Sequence, residues 1–325
     1  MNNNSIMKEK KSHDQSTNPN KDIQKLFNLT QFFKKDDRGI SAFIPETTLP
    51  PETTLPNGMT IFYLRKEEVN VLYEQVQHYF RNGIEVHEYD TVFDVGANIG
   101  LFTLWAYQIC KKNVTIYAFE PIPAIFNVLK ANAERFNLEE IKVFFCGLSQ
   151  KSEKATFAWF PNGSMLSTKY KDDLKELQQQ LKESILQNLI ELPREVRWLR
   201  RLPPFLQSFF IDKGLKKKFK IEEVTCQLQT LSEIIYQHNV KQIDLLKIDV
   251  EKSELDVLMG IKEEDWSKIK QIVVEIHNIE GRVEKITNLL SVHGFNQIII
   301  EQEPIFRGSE IFSLYALRKP VFSGH

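Results

Sequence analysis

The sequence predicts an α/β fold: a seven-stranded, mostly parallel sheet with helices on both faces and an antiparallel last strand. Three observations carry this. From Thr91 onward, short runs rich in Val, Ile and Phe alternate with helical patterns, the rhythm of βα units. The first of these runs ends in a glycine turn, Asp94-Val95-Gly96-Ala97-Asn98-Ile99-Gly100, that opens a helix. The last two apolar runs, ending at Ile300 and starting at Ile311, are too close for a helical crossover, so they pair antiparallel.

Residues 1–40 read as a polar, mostly disordered tail, and 41–325 as the folded domain. The tail is followed by a perfect tandem repeat, Pro45–Pro50 and Pro51–Pro56, both reading PETTLP. Two copies of six residues cannot build a solenoid, so slack in a surface connection is expected. Asn57-Gly58 makes a turn into an alternating strand at Met59–Leu64, and Glu67–Phe80 reads as a helix.

The regular part runs in order: strand 91–95, helix 99–109, strand 114–119, helix 122–135, strand 142–146, and an extra strand near 156–160. Helix 230–237, strand 243–249 and helix 253–260 follow, then strand 271–276, helix 281–292, strand 295–300 and strand 311–317. Residues 165–222 interrupt this rhythm as a helical cap insertion. Leu174, Leu177, Leu181, Ile185 and Leu189 recur at helical spacing there. Between 194 and 220 nine bases face only Glu195 and Asp212. A solvated basic face is one reading of that segment, and a cap that attracts an acidic partner is the other.

Bulk properties exclude several classes. The 325 residues are 42% hydrophobic and 26% charged, with net charge -1, so no global field points to nucleic acid. Cys110, Cys146 and Cys226 are odd in number and far apart, which supports neither a zinc site nor a disulfide framework. No apolar leader core and no run of about 18 apolar residues occurs, so a cytoplasmic chain without a membrane span is expected.

The glycine turn decides the nucleotide. A dinucleotide fingerprint needs glycines where this chain has Asn98 and Leu101. Asp94 would repel phosphate but suits a ligand with an ammonium and a sulfonium, so S-adenosylmethionine is favoured over NAD. Gly96 permits the tight turn, Gly100 close packing of the next helix, and the helix N-terminus can hold a carboxylate. Glu120, one residue past the second strand, can accept both ribose hydroxyls. Gly147 and Leu148, after the third strand, are candidates to flank adenine.

Three further residues are candidates for catalysis. Asp249 ends an apolar strand expected beside the first one. Glu275 and His277 share one face of a later strand and emerge at the same edge. His277 could serve as general base, or Asp249, Glu275 and His277 could hold a divalent ion. For Glu251 and Glu254, capping of the next helix is the stronger reading. No Asn- or Asp-Pro-Pro-Tyr/Phe element is present, which argues against methylation of DNA bases.

Four segments in order, VFDVGANIG, YAFEPIP, DLLKIDVEKSELDVLMGI and VVEIH, resemble the FkbM family of methyltransferases. The resemblance spans about residues 57–317 outside the insertion. It implies a Rossmann-like methyltransferase domain over 41–325. It also implies methyl transfer to a hydroxyl of a small molecule, with cofactor contacts at Asp94, Gly96, Asn98, Glu120 and Asp249. The segments LPNGMTIFYL and VVEIHNIEGRVEKITNLLSVHGF are similar to members associated with polyketide or nonribosomal peptide tailoring. An acidic acyl or peptidyl carrier protein is then the partner that the basic stretch suits. A sugar, protein or RNA acceptor, or a non-catalytic cofactor-binding module, are the alternatives. One departure stands out: Lys252 occupies the position where the family has glycine after K-I-D-V-E.

Overall fold

The structure is a computed structural model that describes residues 49–136, 139–161, 194–218, 221–303 and 309–318, with six more between 179 and 189. The tail at 1–40, most of the first PETTLP copy, and Leu174, Leu177 and Leu181 lie outside the described residues.

The chain opens with a small hairpin. Strand β1 (Glu52–Thr54) pairs antiparallel with β2 (Thr60–Phe62) around the Asn57-Gly58 turn. The second PETTLP copy is therefore part of a strand rather than slack, a correction to its sequence reading. Its Thr-Thr pair supplies β-branched residues to the ladder. Helix α1 (Lys66–His78) buries Val69 and Val76, two turns apart on one face.

The central unit then builds as expected. β3 (Thr91–Val95) leads through the glycine turn into α2 (Leu101–Ile109), and β4 (Thr115–Phe119) into α3 (Pro123–Phe136). β5 is Ile141–Phe144, followed directly by the short β6 (Gly147–Leu148) and by β7 (Glu153–Trp159). The insertion contains a 3-10 stretch at Arg194–Arg201 and helix α4 (Pro204–Lys218). It returns through β8 (Glu222–Gln229) to α5 (Leu231–Gln237), which starts with a full Thr230/Glu233 capping box. β9 (Leu245–Ile248), α6 (Glu254–Met259), β10 (Gln271–His277), α7 (Arg282–Val292), β11 (Gln297–Glu301) and β12 (Ile311–Leu317) complete the chain.

The main sheet runs β11-β12-β10-β9-β3-β4-β5. β12 is antiparallel to both neighbours, and the remaining pairs, β10-β9, β9-β3, β3-β4 and β4-β5, are parallel. This is the seven-stranded Rossmann-like order, with β3 at the centre and the switch point between β3 and β9, where the order reverses. Period-two alternation sorts the strand residues between two cores. Val92, Ile116, Leu245 and Val273 pack with α1, α2 and α3 on one face. Phe93, Tyr117, Leu246 and Val274 pack with α5, α6 and α7 on the other.

The extra strand expected near 156–160 belongs to a second sheet, β6-β8-β7, whose pairing was not anticipated. β8 pairs antiparallel with β7 along its whole length and parallel with Gly147-Leu148. Val224, Cys226 and Leu228 turn to the protein interior while Thr225 and Gln227 stay exposed. The insertion therefore leaves from and returns to strands of this small sheet, and its described middle part is helical.

Candidate active site

The glycine turn closes the carboxyl edge of β3. Gly96 and Gly100 have φ of 75° and 91°, and Asn98 adopts 50°. A side chain on Gly96 would collide with the backbone carbonyl of Asp249, so turn and β9 loop meet there without room for a Cβ. A side chain on Gly100 would meet Leu129 of α3, so the close approach there is to a neighbouring helix rather than to the sheet. Helix α2 begins at Leu101 with no side-chain cap, which leaves its first amides for an anionic group.

Glu120 is buried at the end of β4. Its carboxylate accepts the amides of Asn98 (3.2 Å) and Ile122 (2.9 Å). Burial pushes its pKa up to about 7 against those two hydrogen bonds. Each oxygen keeps a lone pair for a further donor. Gly147 and Leu148 are both buried, and a side chain on Gly147 would meet Leu228 and Pro121. They form strand β6 instead of a loop, close to the segment after Glu120.

Four charged residues share the face of the sheet that looks toward α1 and α2. Asp94 of β3 stands in register with Lys247 of β9. Asp94 is fully buried, takes the Thr103 hydroxyl at 2.6 Å, and pairs with the Lys247 ammonium at 3.0 Å. These two contacts fix the Asp94 carboxylate beneath the glycine turn. Lys247 also donates to the Gly96 carbonyl at 2.8 Å and lies 3.9 Å from Asp249. Burial opposes its charge, but Asp94 and Asp249 outweigh this and hold its pKa above the usual lysine value.

Asp249 follows β9, and 21% of its side chain is exposed. Its Oδ2 accepts the Tyr79 hydroxyl at 2.8 Å. Glu275 of β10 is buried and accepts Gln75 Nε2 at 2.8 Å. Burial raises the pKa of both carboxyls; at Asp249 the Lys247 charge partly offsets this, and at Glu275 the Asp249 charge adds to it. Gln75, Tyr79 and Lys247 were missed by sequence reasoning. A buried lysine two residues before the strand-end aspartate was the available signal.

His277, the candidate general base, has a carboxylate beside each ring nitrogen. Its Nδ1 lies 2.9 Å from Glu254 and its Nε2 3.3 Å from Glu251. Burial alone would discharge the imidazole, yet these two carboxylates outweigh it and hold the pKa well above the usual histidine value. The two carboxylates therefore favour the imidazolium form, which has no lone pair to take a proton. Glu254, expected to be a helix cap, is fully buried and also binds Arg282 at 2.8 Å. Among the described residues no group of three or more His, Cys, Asp and Glu is arranged to hold a metal ion. Asp249, Glu275 and His277 thus do not form the ion site considered from the sequence, because His277 is turned to Glu251 and Glu254.

Residues 94–297 match the model of the methyltransferase FkbM domain. The chain belongs to the FkbM methyltransferase family. It is 34% identical over 267 residues to the 31-O-demethyl-FK506 methyltransferase FkbM of Streptomyces tacrolimicus, covering 81% of this chain and 95% of that protein. It is also 32% identical over 297 residues to the AMB antimetabolite synthetase AmbE of Pseudomonas aeruginosa, covering 87% of this chain but only 13% of AmbE. A crystal structure of a methyltransferase FkbM from Methylobacillus flagellatus aligns with a TM-score of 0.45 at 17% identity, over 73% of this chain and 46% of that one. Methyl transfer from S-adenosylmethionine is the activity that membership in this family carries, and the strand order of the sheet agrees with it. Among the described residues no helix is long and apolar enough to cross a membrane.

Proposed function

We propose that this FkbM-family protein transfers the methyl of S-adenosylmethionine to a hydroxyl of a small natural-product intermediate. The observation that carries the reading is one cleft edge with two kinds of carboxyl. Glu120 waits beside the glycine turn with a free lone pair on each oxygen, and Asp249 with Glu275 stand across β3 from it. The name of the Streptomyces relative, a 31-O-demethyl-FK506 methyltransferase, supports oxygen as the methylated atom.

The residues divide the work. Glu120 accepts the ribose hydroxyls. The amides after Gly100 hold the carboxylate of the methionine part. Gly147 and Leu148 flank the base from the second sheet. When bound, the cofactor supplies an electrophilic methyl on a positively charged sulfur. Asp249, with a carboxyl less acidic than usual, orients the acceptor hydroxyl and takes its proton. Such a base adds about 10²–10⁴-fold. Aligning acceptor and methyl in a site closed to water contributes the rest. His277 holds the β9–α6 loop and stays charged.

A carrier-borne acceptor is part of the proposal. Trp198, Phe205, Phe209 and Phe210 of the insertion are exposed, beside exposed Arg200, Arg201, Lys213 and Lys216. An acidic acyl or peptidyl carrier suits that surface. The match to a short part of the synthetase AmbE supports an acceptor still in assembly. The three cysteines are buried and unpaired, in keeping with a cytoplasmic enzyme.

The test is transfer of an isotopically labelled methyl to hydroxylated polyketide and peptide intermediates, free and carrier-bound. Label on an acceptor oxygen supports the proposal. Label found only on nitrogen or carbon contradicts it.

A further inference from the structure

Helix α1 presents two donors, Gln75 and the residue that closes the helix, Tyr79. Four positions apart, they lie on one helix face. They meet two carboxyls that lie on neighbouring strands. Val274 stands beside Ile248 in the β10–β9 register, so Glu275 and Asp249 are the next neighbours along the same edge, on the same face. Gln75 holds Glu275 and Tyr79 holds Asp249, each at 2.8 Å. Tyr79 is itself fixed: it is buried, packs edge-on against Phe102 at 5.6 Å, and has Lys247 5.4 Å from its ring centre.

We propose that helix α1, through Gln75 and Tyr79, makes Asp249 and Glu275 a pair that shares one proton, loses it when the sulfonium cofactor binds, and takes up the acceptor's proton as the methyl leaves. The inference rests on the methyltransferase reading above and adds the positioning residues. Two adjacent carboxyls in a largely dry site cannot both ionise at low cost. The other charges facing them are accounted for. Lys247 favours ionisation of Asp249 while also engaged by Asp94 and the Gly96 carbonyl, and at both carboxyls the His277 charge favours ionisation while the Glu251 charge opposes it. A cation arriving beside the pair makes the doubly ionised state cheap. In the transfer, a lone pair of the acceptor oxygen forms the bond to the methyl carbon, the carbon–sulfur electron pair stays on sulfur, and the hydroxyl proton goes to Asp249. The sulfur is then neutral, which restores the preference of the pair for one proton.

Proton release on binding tests this without any acceptor. Wild type, Tyr79→Phe, Gln75→Leu and Glu275→Gln are titrated calorimetrically with S-adenosylmethionine and with S-adenosylhomocysteine, in buffers of different ionisation enthalpy across pH 6–9. Both ligands carry the same ribose, so any contribution of Glu120 cancels in the difference. The wild type should release more proton with S-adenosylmethionine, and Glu275→Gln should remove that difference. Tyr79→Phe and Gln75→Leu should move the pH of the largest difference upward by about half a unit, since each loses a hydrogen bond that favours the ionised form. Equal release with the two ligands in the wild type overturns the proposal and leaves the cofactor site standing. Weaker binding of both ligands in the two variants, with no change in that pH, makes Gln75 and Tyr79 structural and also overturns it. If neither ligand binds the folded wild type, the methyltransferase reading beneath it falls as well.

Discussion

Lys247 donates a 2.8 Å hydrogen bond to the carbonyl of Gly96, from the strand next to the one that ends in the glycine turn. The same ammonium neutralises Asp94 at 3.0 Å. One buried lysine therefore fixes the shape of the turn and the charge beneath it. Lys247→Met leaves Asp94 buried without a countercharge, a loss of about 3–5 kcal/mol. Urea unfolding measures it; a change below about 1 kcal/mol contradicts the arrangement.

The affinity for S-adenosylhomocysteine depends on pH through Glu120. Its carboxyl titrates near about 7 in the free protein. The ionised form accepts two hydroxyls, so affinity should rise with pH and level off above that value. The sign for stability is opposite. The folded protein holds a proton there that the unfolded chain has already lost. This contribution is full below the ordinary glutamate pKa and fades as pH rises through about 7. Titrations from pH 5.5 to 8.5 on wild type and Glu120→Gln check the first part. A slope that persists in the variant assigns it to another group.

His277 should remain an imidazolium past neutral pH. The stability it contributes through Glu251 and Glu254 is present below the ordinary histidine pKa and is lost only as pH rises through its raised folded value. Ring chemical shifts in a labelled protein report the charge directly. A midpoint near 6.5 would return His277 to the list of bases. His277→Gln should lower thermal stability, because the fully buried Glu254 keeps only Arg282 as a charged partner.

Lys252 adopts a φ of 70°, next to Glu251 at 30°. Its backbone is held on both sides: Arg282 donates to its carbonyl at 2.7 Å, and its amide reaches Glu254 at 2.8 Å. These bonds survive in Lys252→Gly, while the left-handed strain of an L residue is relieved. The variant should gain about 1 kcal/mol of stability in a denaturant titration. A loss would mean that the lysine side chain contributes more than its backbone costs.

The sheet was legible because its signals are local. TVFDV, TIYAF and LLKI are apolar runs buried on both faces, and each turn or helix start lies within a few residues of its strand. Asp94, Gly96, Glu120 and Asp249 could be placed at one edge from strand order alone. The hydrogen-bond network around them could not. Tyr79 lies 170 positions from Asp249 and Gln75 lies 200 from Glu275, and nothing in either neighbourhood marks the pairing. His277 looked like a base because its partners, Glu251 and Glu254, have the spacing of helix-start acids. The fold aims them at the ring instead.

The most direct test of the account is a calorimetric titration of S-adenosylhomocysteine into the purified wild type and Glu120→Ala. Micromolar binding to the wild type, lost in a variant that still folds, is the predicted result. No binding to a folded wild type free of copurified ligand, or equal binding to both proteins, would contradict the placement of the cofactor beside the glycine turn.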